Sequence, residues 1–237
     1  MQAWTFSSGS KYHSMQVLVN KNLSNGFEVR GAYTWSKTTT AGADSIYASP
    51  IDAYDGSMMR GYAGQDVNHL FVVSYVWDLP GFRKSSAVPR LLLSGWTLTG
   101  ITSFQSGNPL NVTISPNRSG TASTSQRPNV AGSVAQARTV QSWFDISAFS
   151  LPAVGTYGNL GYNAAARGPG IQNYDMGIHK QFPVGERVRL DFRSEWFNIL
   201  NHPNYGAVGT VFGTSTFGRV TSARDLRIGQ MALKLIW

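Results

Sequence analysis

The sequence predicts an all-β protein, an antiparallel, up-and-down run of about seven strands, and three observations carry that expectation. Apolar and polar residues alternate in segments of about ten residues. The connections between segments alternate short and long. The last segment, Arg227 to Trp237, alternates to its final residue, with Met231, Leu233, Leu235 and Trp237 on one face and Gln230, Ala232, Lys234 and Ile236 on the other. Successive side chains of a strand point to opposite sides, so this segment has one apolar and one mostly polar face. Composition agrees: the 237 residues include 25 Gly, are 12% aromatic and only 14% charged, against about 25% charged in a soluble domain. No segment approaches the ~20 uninterrupted apolar residues of a membrane helix. A transmembrane barrel needs only alternating segments of about 10 residues, so the expected fold is part of such a barrel.

The remaining bulk numbers exclude several classes. There is no cysteine, hence no disulfide framework and no thiolate or zinc-thiolate chemistry. The formal charge is +8, but Lys and Arg are scattered in ones and twos, so no nucleic-acid partner is expected. Met1 to Ser10 carries no basic stretch followed by an apolar one, which is not a secretory leader. For an exported chain this leads us to expect the C-terminal piece of something longer.

The elements follow in order. Met15, Val17, Val19 and Leu23 share one face of residues 12–23, and Ser24-Asn25-Gly26 reads as a hairpin turn. The return strand sets Phe27, Val29, Gly31, Tyr33 and Trp35 against Glu28, Arg30, Ala32, Thr34 and Ser36. Lys37–Asp66 reads as a long loop. Phe71, Val73, Tyr75, Trp77 and Leu79 then share a face, followed by the connection Pro80–Pro89 and a strand from about Leu91 to Gln105. Ser106–Gly170 is the longest irregular stretch, too long for a compact soluble domain. Tyr174, Met176, Ile178 and Phe182 mark the next strand, closed by a turn at Pro183–Glu186. Val188, Leu190, Phe192 and Trp196 then alternate with Arg187, Arg189, Asp191, Arg193 and Glu195, and a loop from Asn198 to Asp225 leads to the terminal strand.

Short turns on one side and long loops on the other are the asymmetry of an outer-membrane barrel, and they direct the last strand toward the periplasm. About seven strands leave an unpaired edge, which is costly in lipid. Residues 1–237 are therefore not expected to be a complete barrel of the usual kind: either further strands belong to it upstream, or the segment does not live in a membrane as it stands.

Several motifs carry a resemblance. Tyr33-Thr-Trp-Ser-Lys37, Val73-Ser-Tyr-Val-Trp-Asp-Leu-Pro80, Gly95-Trp-Thr-Leu-Thr-Gly-Ile101, Phe104-Gln-Ser-Gly-Asn-Pro109, Arg127-Pro-Asn129, Arg167-Gly-Pro-Gly170, Arg193-Ser-Glu-Trp-Phe-Asn-Ile-Leu-Asn-His-Pro203 and Phe217-Gly-Arg-Val-Thr-Ser-Ala223 stand in order along the chain. Together they resemble the C-terminal third of the Oar-like, TonB-dependent outer-membrane transporters. The resemblance implies a barrel of about 22 strands with a plug in its lumen, energised through the TonB complex by an N-terminal region that this sequence lacks. It implies residence in the outer membrane of a Gram-negative bacterium. It also implies outer-membrane lipid, the barrel-assembly machinery and the remainder of the barrel and plug as partners.

The candidate sites are of three kinds. Arg187, Arg189, Asp191, Arg193 and Glu195 form a charged ladder, either a lumenal ring that selects solutes or a self-neutralising wall that docks the plug. The loop aromatics Trp143, Phe144, Phe149, Tyr157 and Tyr162 either stack on a ligand or pack the loop on itself. Met231, Leu233, Leu235 and Trp237 resemble the C-terminal signal read by the barrel-assembly machinery. His13, His69, His179 and His202 show no metal-ligand spacing, and neither a catalytic constellation nor a cofactor motif is found, so an enzyme is not expected. The competing reading is a soluble or surface all-β carbohydrate-binding module, with Trp35, Trp77, Trp96 and Trp196 buried in a sandwich core.

Overall fold

A computed structural model describes residues 9–41, 52, 55–81, 92–121, 126–185 and 187–237. The stretch Met1–Ser8, most of the connection Pro80–Pro89, the strand start at Leu91, the turn residue Glu186 and parts of the loop Lys37–Asp66 lie outside the described residues.

Among the described residues twelve strands are formed: β1 (Ser10–Ser24), β2 (Phe27–Thr40), β3 (Gly61–Tyr62), β4 (His69–Asp78), β5 (Trp96–Gln105), β6 (Thr113–Ile114), β7 (Asn129–Val130), β8 (Phe149–Ser150), β9 (Ile171–Pro183), β10 (Arg189–Phe197), β11 (Val211–Phe212) and β12 (Ile228–Ile236). The long ones pair in the order β1-β2-β4-β5-β9-β10-β12, and β3 adds to β2 beyond this path. Every pairing in the path is antiparallel between strands that follow one another along the chain, which is the expected up-and-down run.

The register shows that the alternation is coherent across the whole sheet. Tyr33 faces Phe71, Phe71 faces Phe104, and Val17 faces Tyr33. Lower down, Leu98 faces Ile178 and Phe192 faces Leu233. The apolar positions of neighbouring strands thus share one side. Two glycines on that side sit under aromatic rings of the adjacent strand. Gly100 lies beneath Tyr75, and a Cβ at Gly229 would stand 2.6 Å from the Trp196 ring. Such cover protects a glycine that would otherwise leave the pleated surface open.

The strand ends differ from the sequence expectation in an informative way. β2 runs on through Thr38 to Thr40 because β1 reaches back to Ser10, which pairs with Thr40. These ends carry no apolar alternation, so nothing in the pattern marks them as strand. β1 has 15 residues and spans about 50 Å, while the apolar band of a membrane barrel is only about 25 Å tall. β9 likewise begins at Ile171 rather than Tyr174. β5 begins at Trp96, after Gly95 turns the chain with φ of 76°. The first hairpin is tight, with positive φ at both Asn25 and Gly26, the type I′ geometry that matches strand twist.

The buried apolar core lies outside the sheet. Val112, Trp143, Phe144, Phe149, Leu160, Ala165, Val208 and Phe217 form one cluster, contributed by the two longest connections. The loops expected to be irregular are therefore a folded cap. Its short strands pair as β6 with β11 and β7 with β8.

Candidate lumenal face and loop cap

The polar face of the sheet is a wall of charge and amide. In β10, Arg189, Asp191, Arg193 and Glu195 share this face, while Arg187 lies in the turn before the strand begins. Asp191 is buried and stands between Gln181 and Lys234 in register. Arg193 reaches along its own strand to Asp191 Oδ2, with Nη2 at 2.9 Å and Nε at 3.0 Å. Glu195 Oε2 accepts from Gln230 Nε2 at 2.5 Å. Farther across the wall Arg30 pairs with Glu28 at 2.9 Å. Between these groups the small residue Gly177 helps form a groove of about 550 Å3, lined also by Thr99, Asp175 and Glu195.

The apolar face is uncovered over most of its height. Trp35 and Trp77 are each 40% exposed and Met231 is 68% exposed, and no second sheet packs on this face among the described residues. The sandwich-core expectation is thereby corrected. An antiparallel sheet with a bare face of Val, Leu, Met and aromatic side chains is not closed against water and requires an apolar solvent there. Lys180 is the exception on this face. It is buried at the short-turn end, where its Nζ donates to Leu92 O at 3.0 Å and Ser94 O at 2.5 Å and lies over the rings of Trp96 and Phe182. Its long aliphatic stem covers apolar surface while the ammonium reaches the turn carbonyls.

Of the terminal positions, Met231, Leu233 and Leu235 point to the bare apolar side of the edge strand β12. Trp237 is 88% exposed, just past the strand end.

The cap gathers three of the five loop aromatics. Phe144 is fully buried against Phe149 and Phe217, with ring centroids 5.7 and 5.3 Å away, and Phe149 and Phe217 are themselves 5.3 Å apart. Trp143 is buried beside them and its Nε1 donates to Arg167 O at 2.7 Å. The faces of these rings are taken by one another. Tyr157 and Tyr162 are half-buried at the cap surface, and the Arg127 guanidinium lies 5.6 Å over the Tyr162 ring. Burial brings Arg127 down to a pKa of about 10, because a desolvated guanidinium loses hydration that a single ring does not replace.

Sequence reasoning missed the clamp that holds the cap to the sheet. Asp66, 1% exposed, accepts from Arg167 Nη2 through Oδ2 and from the Thr38 backbone N–H through Oδ1. The same guanidinium donates to Asn68 Oδ1 at 2.7 Å, and to Asp66 O and Gly107 O at 3.1 Å each. Asp66 and Arg167 are 101 residues apart, and no spacing rule links a lone Asp to so distant an Arg. The motif Arg167-Gly-Pro-Gly170 was visible, its partner was not. A second fastening is Asn204, whose side chain accepts from Gln172 N at 2.8 Å and donates to Gln172 O at 2.9 Å, like a strand residue continuing the ladder.

Among the described residues no group of three or more His, Asp or Glu is placed to hold a metal ion. A family model described as Outer membrane beta barrel domain matches residues 1–230. The chain belongs to this family. Neither a curated protein nor a solved structure matches it. This outer-membrane barrel domain therefore crosses the outer membrane with its strands. Its family is one of barrels that are usually not enzymes.

Proposed function

We propose that the chain is a wall segment of a large, plugged barrel of the TonB-dependent, Oar-like kind, and that its cap forms part of the extracellular surface that captures substrate. The observation that carries this reading is that, among the described residues, β1 and β12 each pair on one side only, while the strands between them form a continuous wall. An open edge in lipid leaves backbone groups unsatisfied at several kcal/mol each, so strands from the rest of the protein must cover both. The groove on the polar face and the β10 ladder then look into the lumen, where a plug or passing solute meets Arg189, Arg193 and Glu195. The clamp of Asp66 and Arg167 supports the same reading, because a capture surface must be preorganised to bind without a large ordering cost. Uptake is driven through the TonB complex by the N-terminal part of the transporter.

The test is physical association. Full-length gene product extracted from outer membranes is passed over the immobilised periplasmic domain of TonB from the same cells. Retention that is lost when the N-terminal region is deleted agrees with the proposal. Absence of retention removes TonB dependence and leaves only the barrel.

A further inference from the structure

The cap overhangs the apolar face at the long-loop end and leaves a cleft of about 430 Å3 there, within the size range of small-molecule sites. Its floor is the apolar face itself, Phe71 and Phe104, with ring centroids 6.1 Å apart. Its far wall is Trp143 and Tyr205, 6.2 Å apart edge to face. Phe71 and Phe104 belong to one row of the sheet with Tyr33, on the side that faces hydrocarbon. The cleft is thus continuous with the lipid-facing surface and lies at its extracellular end, where headgroups begin.

The formal charge of the lining comes from Arg138. Arg138 and two imidazoles, His69 and His202, border the cleft, and no Asp or Glu does. Among the described residues no carboxylate pairs with Arg138, whose guanidinium has only Gln136 Oε1 at 3.5 Å. The Arg138 backbone has φ of 55°, a region costly for a residue with a long side chain. It is held there by a turn in which Arg138 N donates to Trp143 O at 3.0 Å. His202 is fixed at the edge of the cleft through its backbone by Asn198.

Aromatic walls open to hydrocarbon, beside a cation without a counter-charge, complement an amphiphile with an acyl tail and an anionic head. We propose that the cleft binds one phosphate-bearing lipid of the outer leaflet. Its acyl chain lies against Phe71 and Phe104 under Trp143 and Tyr205, and its phosphate accepts from Arg138. The lipid ties the cap to the membrane as Asp66 and Arg167 tie it to the sheet.

The experiment uses full-length barrel extracted in neutral detergent and stripped of lipid. It is titrated with lipid A and with dephosphorylated lipid A, and bound lipid is counted by native mass spectrometry. The expected result is one tightly held lipid A. Binding falls by about tenfold in Arg138→Gln, the loss of a charge-assisted hydrogen bond, and by a similar factor when the phosphates are removed from the lipid. It is unchanged in Arg224→Gln, a cap cation outside the cleft. Inorganic phosphate does not displace the lipid. Equal affinity of the two lipids for the wild-type barrel overturns the proposal, as does wild-type affinity in Arg138→Gln or displacement by inorganic phosphate. If Arg138→Gln yields no folded barrel, the two lipids on the wild-type protein decide.

Discussion

Asp66 illustrates how a single residue can fix the cap. Its carboxylate is buried, and both oxygens are engaged, one by the Thr38 backbone and one by Arg167. Removing one partner of a buried pair leaves the other charge uncompensated, which costs about 3–5 kcal/mol. Arg167→Ala should therefore loosen the cap, and Arg167→Lys should loosen it nearly as much, because a lysine cannot present a fork to Asp66, Asn68 and Gly107 at once. Limited proteolysis of intact outer membranes reads the effect as faster cleavage within residues 106–170, with barrel yield unchanged. Equal protease resistance would mean that the clamp is incidental. Phe144→Ala removes the most buried ring of the cap core and should cost about 3–5 kcal/mol by the same assay. Individual residues were the least legible scale in the sequence. Trp143, Phe144 and Phe149 could be seen as loop aromatics, but whether they bind or pack depends on Phe217 and Gly218, which come from another connection more than sixty residues on. Local patterning does not encode a contact of that separation.

At the scale of elements the period-two alternation was readable wherever a strand crosses the apolar band, because lipid on one side and lumen on the other impose opposite polarities on neighbouring residues. It failed at Ser10–Lys11 and Thr38–Thr40, whose side chains carry no contrast of apolar and polar for a period to show. It failed also in the cap, whose short pairs β6 with β11 and β7 with β8 are too brief for any period to show. β12 offers the sharpest test of the face assignment, since Leu233 and Lys234 are adjacent in sequence and point to opposite solvents. Leu233→Arg places a cation toward hydrocarbon near mid-strand and should cost about 2–4 kcal/mol, seen as loss of the heat-modifiable band on unboiled gels. Arg in place of Lys234 should leave that band intact, because Asp191 stands opposite it in register and takes either cation. If both variants assemble alike, the two faces have been assigned wrongly. Deletion of Trp237 should also reduce assembly, but with translation unchanged, because the residue lies past the strand end and contributes little to the sheet's own packing.

For the molecule as a whole, the number of long strands constrains how the sheet can end. An odd count in an up-and-down run makes β1 and β12 point the same way, so a barrel closed from this chain alone would need a parallel seam in an otherwise antiparallel wall. Parallel pairs are somewhat less stable per residue. Further strands between β1 and β12 remove that difficulty. The absence of cysteine makes this directly measurable, since introduced pairs have no competitors. Cysteines at Val72 and Ser103, which face each other in register across β4 and β5, should oxidise to a disulfide in the assembled barrel and serve as the reference. Cysteines scanned along β1 against β12, beginning with Asn20 and Lys234, should remain unlinked in the full-length protein even under strong oxidant. Efficient linkage between those two strands would mean that the seam closes on this chain, and the proposed larger barrel would have to be abandoned.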